Sequence, residues 1–572
     1  MTVDPSRGRR YVMLFLFFCG FSIILFRLVT LQVIQAAELT AKANRQHEKT
    51  VSFEGARGMV SDRHGKVLAM NVEVPSVFGV PTSLENPSAV ARHLSPVLRI
   101  GSSELEKKLR QNKSFVWLAR KVEPEQGRRL EQLSLGGIGV VMEGQRFYPN
   151  GPLLAHVLGF SGMDGQGLEG LERRYDTQLH GEKRVTVLQR DALGRTIFPK
   201  GGKEQVPTQG QALTLTVDEV IQYIAEKELD ETVVRTHARS GTIIVMEPQS
   251  GAILAMAVSP RFDPNSVSAL TPDRWRNRAL TDTYEPGSTM KAVVAAAALE
   301  EKVMTPGSMI FGENGKMTIA STTIHDHEKL GWMTFSEMIQ KSSNIGAAKT
   351  GMALGDQRLY RYLQAFGFGQ RTEIDLPGEV NGLLKAPKSW GRRTLASISM
   401  GQEIGVTPLQ MVSAIATLAN GGVMMKPYVV SEVRDQKGLL LMEVLPHAKR
   451  RVVLEETAKT VTTMLERVVT HGTGTKAAIP GFRVAGKTGT AQKIDPRTGG
   501  YSSTLFVGSF VGYVPAESPR LAMIVVIDEP QGEAWGGTVA APVFRRVGEQ
   551  VLNYLGVSRE DTVKIALATR DY

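Results

Sequence analysis

The sequence predicts an α+β protein with a single N-terminal transmembrane helix, an elongated mixed domain and a larger domain whose antiparallel sheet is covered by helices. Three observations support this class. A long apolar run lies near the N-terminus, a polar and turn-rich segment follows it, and the second half alternates β-rich runs with helical patterns. Strands that are joined by tight turns pair antiparallel, and helices can then pack on the sheet.

The first predicted element is a membrane-spanning helix over residues 11–34. Arg27 is the only charge in this run, and its 24 residues exceed the roughly 20 that a bilayer requires. Three arginines in residues 1–10 favour a cytoplasmic tail at this end. A cleaved signal peptide is the alternative, but its apolar core would have only about 7–15 residues. Both possibilities export the rest of the chain.

Two exported domains are expected after the membrane helix. Residues 35–235 are predicted to form the first, because they are polar and rich in turns. Residues 236–560 are predicted to form the second, and residues 561–572 a C-terminal tail. A domain of this size can bury a large core, so export does not require disulfides.

Strands and helices of the second domain follow from its hydrophobic runs. A hairpin is predicted from two runs, and two later runs separated by prolines predict further strands. The predicted strands are 242–246, 252–258, 505–514 and 521–527, and the predicted helices are 289–301, 408–419 and 542–555. Thr407 and Pro408 are typical of a helix N-terminus, so this helix has the clearest start.

Length and composition exclude several protein classes. The chain has 572 residues, of which 42% are hydrophobic and 22% charged, as in a globular protein. Its net charge of +11 suggests an anionic partner. Because the basic residues are dispersed and the chain is predicted to be exported, we expect no nucleic-acid partner. The single cysteine, Cys19, excludes an intramolecular disulfide and a cysteine zinc site.

Three short motifs occur in order within the second domain. Each is weak alone, but all three in this order within one predicted domain form a strong joint signal. They are Ser288-Thr-Met-Lys291, Ser342-Ser-Asn344 and Lys487-Thr-Gly-Thr490.

The first two motifs supply a nucleophile and groups that could move its proton. A turn signal places Ser288 at the N-terminus of a helix, where residues i and i+3 share a face, so the Lys291 amine can reach its hydroxyl. Lysine can accept this proton only if burial or a neighbouring charge lowers its pKa. Ser342 could relay a proton, and Asn344 could bind an amide of the substrate with its donor and its acceptor.

The third motif is predicted to be an edge strand to which an extended peptide could add. Gly489 would leave room for close backbone approach. Lys487, Thr488 and Thr490 offer a positive charge and two hydroxyls for a carboxylate. The backbone N–H groups of Ser288 and Thr490 are candidates for an oxyanion hole.

Two other patterns are interpreted as structural. Lys349-Thr350-Gly351 repeats part of the third motif, but it lies in a predicted helix and lacks the fourth hydroxyl. His325 and His327 have no third placed ligand, so a loop is favoured over a metal site. We therefore expect no metal at these histidines.

The motifs resemble those of class B penicillin-binding proteins, which are monofunctional peptidoglycan D,D-transpeptidases. The resemblance implies a pedestal domain of the penicillin-binding protein dimerisation type over residues 35–235 and a transpeptidase domain over residues 236–560. Glutamate at position 285 is similar to the septal cell-division branch of this family, since the elongation branch more often has proline at this position. Further similar segments are Arg57–Gly65, Arg146–Pro149, Gly167–Glu172, Gly401-Gln402 and Gly536-Gly537.

The resemblance also implies a reaction, partners and a location. Ser288 would attack a stem peptide, release the terminal D-Ala and pass the acyl group to an amine of a neighbouring stem. β-Lactams would block Ser288, and the resemblance implies that no metal or organic cofactor is needed. The implied protein partners are a polytopic glycan-strand polymerase and other division proteins, which would bind through the membrane helix and the pedestal. The chain would span the bacterial inner membrane once, with most of it periplasmic.

Several alternatives remain open. An elongation-branch transpeptidase would share the chemistry, and a D,D-carboxypeptidase or a β-lactamase would pass the acyl group to water. No Glu-x-x-x-Asn occurs between Ile345 and Gly486, which disfavours the fast deacylation of a β-lactamase. A non-enzymatic β-lactam sensor or a division scaffold is an alternative of another class. The predicted ten-residue tail is expected to be too short for the output domain of a sensor.

Overall fold

The computed structural model describes residues 5–190, 196–197, 209–266, 271–320, 322–495 and 497–559. The predicted C-terminal tail, residues 561–572, lies outside the described residues. Over residues 5–197 the helices are α1 (Pro5–Val29), α2 (Ala36–His47), α3 (Pro87–Leu98), α4 (Ser102–Leu109), α5 (Pro124–Leu133), α6 (Ala155–Leu158), α7 (Gly170–Arg174) and α8 (Asp176–Leu179). The strands of this part are β1 (Glu48–Gly55), β2 (Val60–Ser61), β3 (Val67–Gly79), β4 (Val116–Ala119), β5 (Ile138–Phe147), β6 (Gly181–Arg190) and β7 (Thr196–Ile197).

Residues 209–559 contain the remaining described elements. The helices are α9 (Glu219–Arg235), α10 (Pro272–Trp275), α11 (Arg278–Thr281), α12 (Lys291–Glu300), α13 (Phe335–Lys341), α14 (Asn344–Leu354), α15 (Asp356–Ala365), α16 (Arg392–Ser399), α17 (Pro408–Ala419), α18 (Glu455–His471), α19 (Gly536–Val539) and α20 (Ala541–Tyr554). The strands are β8 (Ala212–Leu215), β9 (Ser240–Met246), β10 (Ile253–Ser259), β11 (Met309–Phe311), β12 (Lys316–Ile319), β13 (Thr322–His325), β14 (Trp332–Thr334), β15 (Val423–Met425), β16 (Val430–Arg434), β17 (Leu440–Glu443), β18 (Ala448–Arg451), β19 (Ala485–Ile494), β20 (Tyr501–Val514) and β21 (Leu521–Asp528).

The N-terminal apolar helix is confirmed. Helix α1 continues as a π-helical turn over Thr30–Ile34, and Gly8–Ile34 is long and apolar enough to cross a membrane. The helix begins at Pro5 instead of residue 11, because proline suits the first helical turn and the arginines that follow are good helix formers. The apolar pattern therefore located the run correctly but not the start of the helix.

The chain divides into two compact units. The smaller takes its described residues from Met1–Ala56, Val72–Gln145 and Gly181–Thr208, and the larger takes them from Arg57–Asn71, Arg146–His180 and Gln209–Tyr572. These units alternate along the chain, whereas the predicted domains over residues 35–235 and 236–560 are continuous and stay a prediction.

Three segments of the predicted first domain belong to the larger unit, for identifiable reasons. Helix α9 buries Ile221 and Leu229 in a cluster with the strands β9 and β10. The buried Arg57 donates to the Glu172 carboxylate over 2.8 Å, and a paired buried charge ties such distant segments together. The polarity of the sequence does not reveal that these segments pack in the larger unit.

The smaller unit contains a sheet and a helical cluster. Strand β6 pairs antiparallel with β1 and with β7. The C-terminal part of β3 pairs antiparallel with β4. The helices α3, α4 and α5 contribute Leu94, Leu105 and Leu130 to a core that also contains Val77 and Leu118 from the strands.

A five-stranded antiparallel sheet organises the larger unit. Its strand order is β10-β9-β21-β20-β19, so β19 is at an edge. Side chains along β9 alternate between two cores, with Ile243 and Val245 in one and Ile244 and Met246 in the other, as the pleat of a strand requires. Helices α9 and α20 belong to the first core, and α12 and α17 to the second. The predicted hairpin and helix-covered antiparallel sheet are confirmed.

A tight turn precedes α12 and packs against a neighbouring loop. The turn is a 3₁₀ segment over Gly287–Met290, so α12 begins two residues later than the predicted start. The Gly287 N–H donates to the Gly401 carbonyl over 3.0 Å. Gly401 has φ +85°, and a Cβ there would lie 2.0 Å from the Gly287 carbonyl oxygen. Only glycine satisfies both the backbone conformation and the close approach.

Gly401→Ala should therefore destabilise the protein by about 2 kcal/mol or more, since left-handed strain and a backbone clash add together. The measurement is the melting temperature by calorimetry. Gly391→Ala is the matched control, because no atom lies within 4 Å of the added Cβ. Equal melting temperatures for the two variants would contradict the prediction.

Candidate active site

One cavity in the larger unit brings the three motifs together. Its volume is about 710 Å³. Ser288, Ser342, Asn344, Thr488 and Thr490 all line it, although they come from three distant parts of the chain. The lysines of the first and third motifs are fully buried, so their amines act on the cavity from within its wall.

Ser288 lies in the 3₁₀ turn immediately before α12 and lines the cavity. It is half-buried, and its hydroxyl makes no hydrogen bond with any residue in the described part of the chain. The predicted contact between this hydroxyl and the Lys291 amine is therefore not formed as a direct hydrogen bond. Hydrogen bonds between a nucleophile and its base are often long or poorly aligned in a free enzyme and shorten when the substrate binds.

The Lys291 amine is held by three oxygen atoms of the second motif. Its Nζ donates to the Ser342 carbonyl over 2.6 Å and to Asn344 Oδ1 over 2.7 Å, and it lies 3.4 Å from Ser342 Oγ. The side chain has no solvent exposure. Burial lowers the pKa of the Lys291 ammonium to about 7, because a low-dielectric environment disfavours the charged form.

A second buried amine approaches the same serine. Lys487 Nζ donates to Ser342 Oγ over 2.8 Å and to the Thr488 carbonyl over 3.3 Å. Burial and the neighbouring Lys291 amine hold the pKa of Lys487 well below its usual range. Ser342 has φ +62°, a conformation that is uncommon outside glycine and that marks functional sites. Its hydroxyl thus lies between the two amines.

Asn344 is occupied by neighbouring groups on both sides of its amide. Its Oδ1 accepts from Lys291, and its Nδ2 donates to the His325 carbonyl over 2.9 Å. The Oδ1 atom therefore orients Lys291, and substrate binding by both ends of the amide stays a prediction. One N–H and one lone pair of the amide remain available toward the cavity.

Asp326 was missed as a site residue. Its carboxylate accepts from the Ser343 hydroxyl over 2.6 Å, from the Ile345 N–H over 3.1 Å and from the Asn344 N–H. It therefore fixes the N-terminus of α14, where the second motif lies. Its negative charge also opposes the effect of burial on the pKa of Lys291. The only sequence signal was its place between two histidines, which suggested a metal.

The third motif forms the edge strand β19, as predicted. Thr488 Oγ1 lies 2.7 Å from Thr473 Oγ1, and Thr490 Oγ1 accepts from the Gly536 N–H over 3.0 Å. A Cβ on Gly489 would lie 2.8 Å from the Pro286 carbonyl oxygen. The glycine is therefore required by close packing of β19 against the turn that carries Ser288, and the close approach of a substrate stays a prediction.

Of the two patterns that were interpreted as structural, Lys349 lies outside this constellation, whereas His325 and His327 line the cavity. Lys349 is on α14 and donates to Glu313 Oε1 over 2.6 Å and to the Phe311 carbonyl over 2.7 Å, so the structural role of this motif is confirmed. The His327 ring packs edge-on against Trp535, with 4.5 Å between ring centroids. No group of three metal-ligating side chains occurs among the described residues.

The chain matches two protein-family models and is similar in sequence to known proteins over most of its length. Residues 241–549 match the family model of the penicillin binding protein transpeptidase domain, and residues 52–215 match that of the penicillin-binding protein dimerisation domain. Stage V sporulation protein D of Bacillus subtilis is 36% identical over 95% of this chain and 86% of its own length. Peptidoglycan D,D-transpeptidase FtsI of Escherichia coli is 33% identical over 96% of this chain and 91% of its own length.

Solved structures resemble the chain over most of its length. A peptidoglycan synthetase from Bifidobacterium adolescentis has a TM-score of 0.71 and 29% identity, covering 90% of this chain and 97% of its own. Penicillin binding protein 3 from Mycobacterium tuberculosis, complexed with aztreonam, has a TM-score of 0.70 and 28% identity, covering 89% and 98%. These similarities span both compact units.

Proposed function

The chain belongs to the penicillin-binding protein transpeptidase family and is a serine-type transpeptidase, and from that premise we propose that it cross-links peptidoglycan stem peptides through an acyl-enzyme on Ser288. One observation carries the proposal. The serine lines the same cavity as Ser342 and Asn344, and these two residues hold the amine of Lys291, whose pKa burial lowers to about 7. An amine that is partly neutral at neutral pH can act as a general base.

The first step forms the acyl-enzyme. The Ser288 hydroxyl oxygen attacks the carbonyl carbon of the penultimate D-Ala, and its proton passes to the neutral Lys291 amine. When the C–N bond breaks, the terminal D-Ala leaves as an amine and takes up a proton through the Ser342 hydroxyl, which lies between the two lysine amines. The Ser288 and Thr490 N–H groups stabilise the negative oxygen of the intermediate.

The second step transfers the acyl group. An amine from a neighbouring stem peptide attacks the ester carbonyl and gives up a proton to the Lys291 amine. The ester C–O bond breaks, a new amide bond forms, and Ser288 recovers its proton. The same residues therefore serve both steps, and no cofactor takes part in the proposed reaction.

Substrate binding is assigned to the edge strand and its neighbours. Thr488 and Thr490 line the cavity and offer hydroxyls to the terminal carboxylate. Lys487 is fully buried, so it attracts the carboxylate through its field and through the Ser342 hydroxyl instead of by direct contact. A β-lactam would enter as a mimic of the D-Ala-D-Ala end and remain bound to Ser288. Asn344 would contribute its free N–H to a substrate carbonyl.

The proposal includes a location, domain roles and partners. Residues 11–34 anchor the protein once in the bacterial inner membrane with a cytoplasmic N-terminus, residues 35–235 act as a pedestal, and residues 236–560 carry the reaction in the periplasm. Glu285 and the similarity to FtsI favour the septal branch. A polytopic glycan-strand polymerase and other division proteins would bind the membrane helix and the pedestal. The apolar run and the basic tail support the proposed orientation.

Ser288→Ala should reduce covalent labelling by a fluorescent penicillin at least about a thousandfold, because the nucleophile is removed. Labelling is followed on gels with full-length protein in detergent. Ser389→Ala is the matched control, since Ser389 also lies in a 3₁₀ turn but is exposed outside the cavity. Labelling of Ser288→Ala at the wild-type rate would refute the assignment.

Transfer to an acceptor then separates cross-linking from hydrolysis. The wild type should pass the acyl group of a peptide thioester to a D-amino acid. Hydrolysis without acceptor incorporation would assign a D,D-carboxypeptidase.

The acylation rate should rise with pH through about 7, because Lys291 must be neutral to accept the proton. Since Asp326 raises the pKa of Lys291, Asp326→Asn should lower it and move the inflection of the rate to lower pH. The measurement is the rate constant of penicillin labelling between about pH 5 and 9. Asp218→Asn is the control, because Asp218 also accepts from backbone N–H groups at the N-terminus of a helix, here α9, but does not line the cavity. An inflection that stays in place or moves to higher pH would contradict the role of Asp326.

Depletion of the protein from its source bacterium tests the branch. Long filaments are expected, because cell growth continues when septal cross-linking stops. Microscopy of cell shape is the measurement. Rounded cells would assign the protein to elongation.

A further inference from the structure

The Glu285 carboxylate joins three segments of the chain beside Ser288. Its Oε1 accepts from the Glu403 backbone N–H over 2.8 Å. The Tyr501 hydroxyl lies 3.0 Å from both carboxylate oxygens and donates to them. Glu285 itself is half-buried. One side chain therefore connects the serine turn, the loop after α16 and the first residue of β20.

Backbone hydrogen bonds support this arrangement on either side of Glu285. Tyr284 exchanges two hydrogen bonds with Val406, of 3.0 and 2.9 Å, and the Gly287 N–H donates to Gly401 over 3.0 Å. The loop that receives the Glu285 carboxylate is thus the same loop that holds the serine turn. The Tyr501 hydroxyl connects the β19–β20 hairpin to this loop and to the serine turn through Glu285.

A second cavity lies next to the catalytic one. Its volume is about 520 Å³, and Tyr284, Glu285, Glu403 and Ile494 are among its lining residues. Tyr501 and Gln492 line both cavities. The Tyr501 side chain is therefore part of the wall between them, and its hydroxyl is directed to Glu285.

We propose that Glu285 is a positioning residue, whose carboxylate fixes Tyr501 as the wall between the two cavities and so keeps the donor peptide against Ser288. The inference deepens the proposed function and rests on it. Without this acceptor, the Tyr501 side chain loses its partner and the catalytic cavity opens toward the second one. A donor would then bind in more orientations, of which fewer place its carbonyl at Ser288.

The charges around Glu285 make the link dependent on pH. Burial raises the pKa of Glu285, and the like charge of Glu403 adds to the increase. Arg393 faces Glu403 across 3.4 Å, and Lys385 and Lys493 line the second cavity. A protonated Glu285 is a weaker acceptor for the Tyr501 hydroxyl. The wall should therefore be held most firmly at neutral pH and lost as the pH falls through the pKa of Glu285.

A double-mutant cycle tests the proposal with full-length protein in detergent. The measured quantity is the rate constant of penicillin labelling. Tyr501→Phe should lower it about fivefold and Glu285→Ala about twentyfold. The double variant should be no slower than Glu285→Ala, because the two residues act through one contact. A loss of about a hundredfold, the product of the single effects, would overturn the proposal.

The Glu285→Gln variant distinguishes a positioning role of Glu285 from a purely structural role. Oε1 of the native residue accepts both from Glu403 and from Tyr501, so an amide oxygen can replace it without titrating. Labelling at pH 7 should return to within about twofold of the wild type. The ratio of the wild-type rate to the Glu285→Gln rate should fall at low pH, because residue 285 is protonated only in the wild type. The titration of Lys291 affects both rates equally and therefore does not change the ratio.

The controls distinguish failure of this inference from failure of the proposed function. Tyr362→Phe removes a similar bond, from the Tyr362 hydroxyl to Glu301 Oε1 over 2.9 Å, outside both cavities, and it should label like the wild type. If wild type and Tyr362→Phe both fail to label, the proposed function is wrong. If they label while the ratio stays constant with pH, or Glu285→Gln is as slow as Glu285→Ala, the role of Glu285 is wrong. If Glu285→Ala does not fold, Tyr501→Phe and Glu285→Gln still decide the outcome.

Discussion

Two lysine amines without solvent exposure share one serine hydroxyl, and the rest of the active site is arranged to maintain this contact. Transfer of an ammonium group from water into a protein interior costs several kcal/mol unless a counter-charge compensates. Lys291 and Lys487 have neutral oxygen partners, from the second motif and from Thr488. The burial that lowers both pKa values therefore favours the neutral amine, which is the form that could accept a proton from Ser288 in the proposed reaction.

Such burial depends on the two cores of the larger unit. The sheet is covered on both faces, and its edge strand β19 carries Lys487 with its side chain fully enclosed. Gly489 and Gly401 allow the backbone of neighbouring segments to approach the serine turn. A well-packed interior transmits small displacements to its neighbours. The distance between the two amines is thus set by packing that extends well beyond the cavity.

Local patterns in the sequence were sufficient for most elements and for the three motifs. Helix α17 was bounded correctly because Thr407 and Pro408 determine its start by local hydrogen bonding, and Thr407 does accept from the Gln410 N–H. Long-range partners were not accessible in this way. The role of Asp326 depends on its position next to Asn344 in space, and the division into compact units depends on segments that are far apart in the chain.

The same distinction explains why two site residues have contacts that the sequence did not predict. Asn344 and Gly489 are the residue types that a substrate-binding role would use, but the structure uses their special properties first for its own chain. Motif positions are therefore constrained twice, once by the fold and once by the reaction. Lys487 shows the consequence most clearly. Its amine donates to the Ser342 hydroxyl and to the Thr488 carbonyl, so these two residues fix the position from which its field would act on a carboxylate in the proposed reaction.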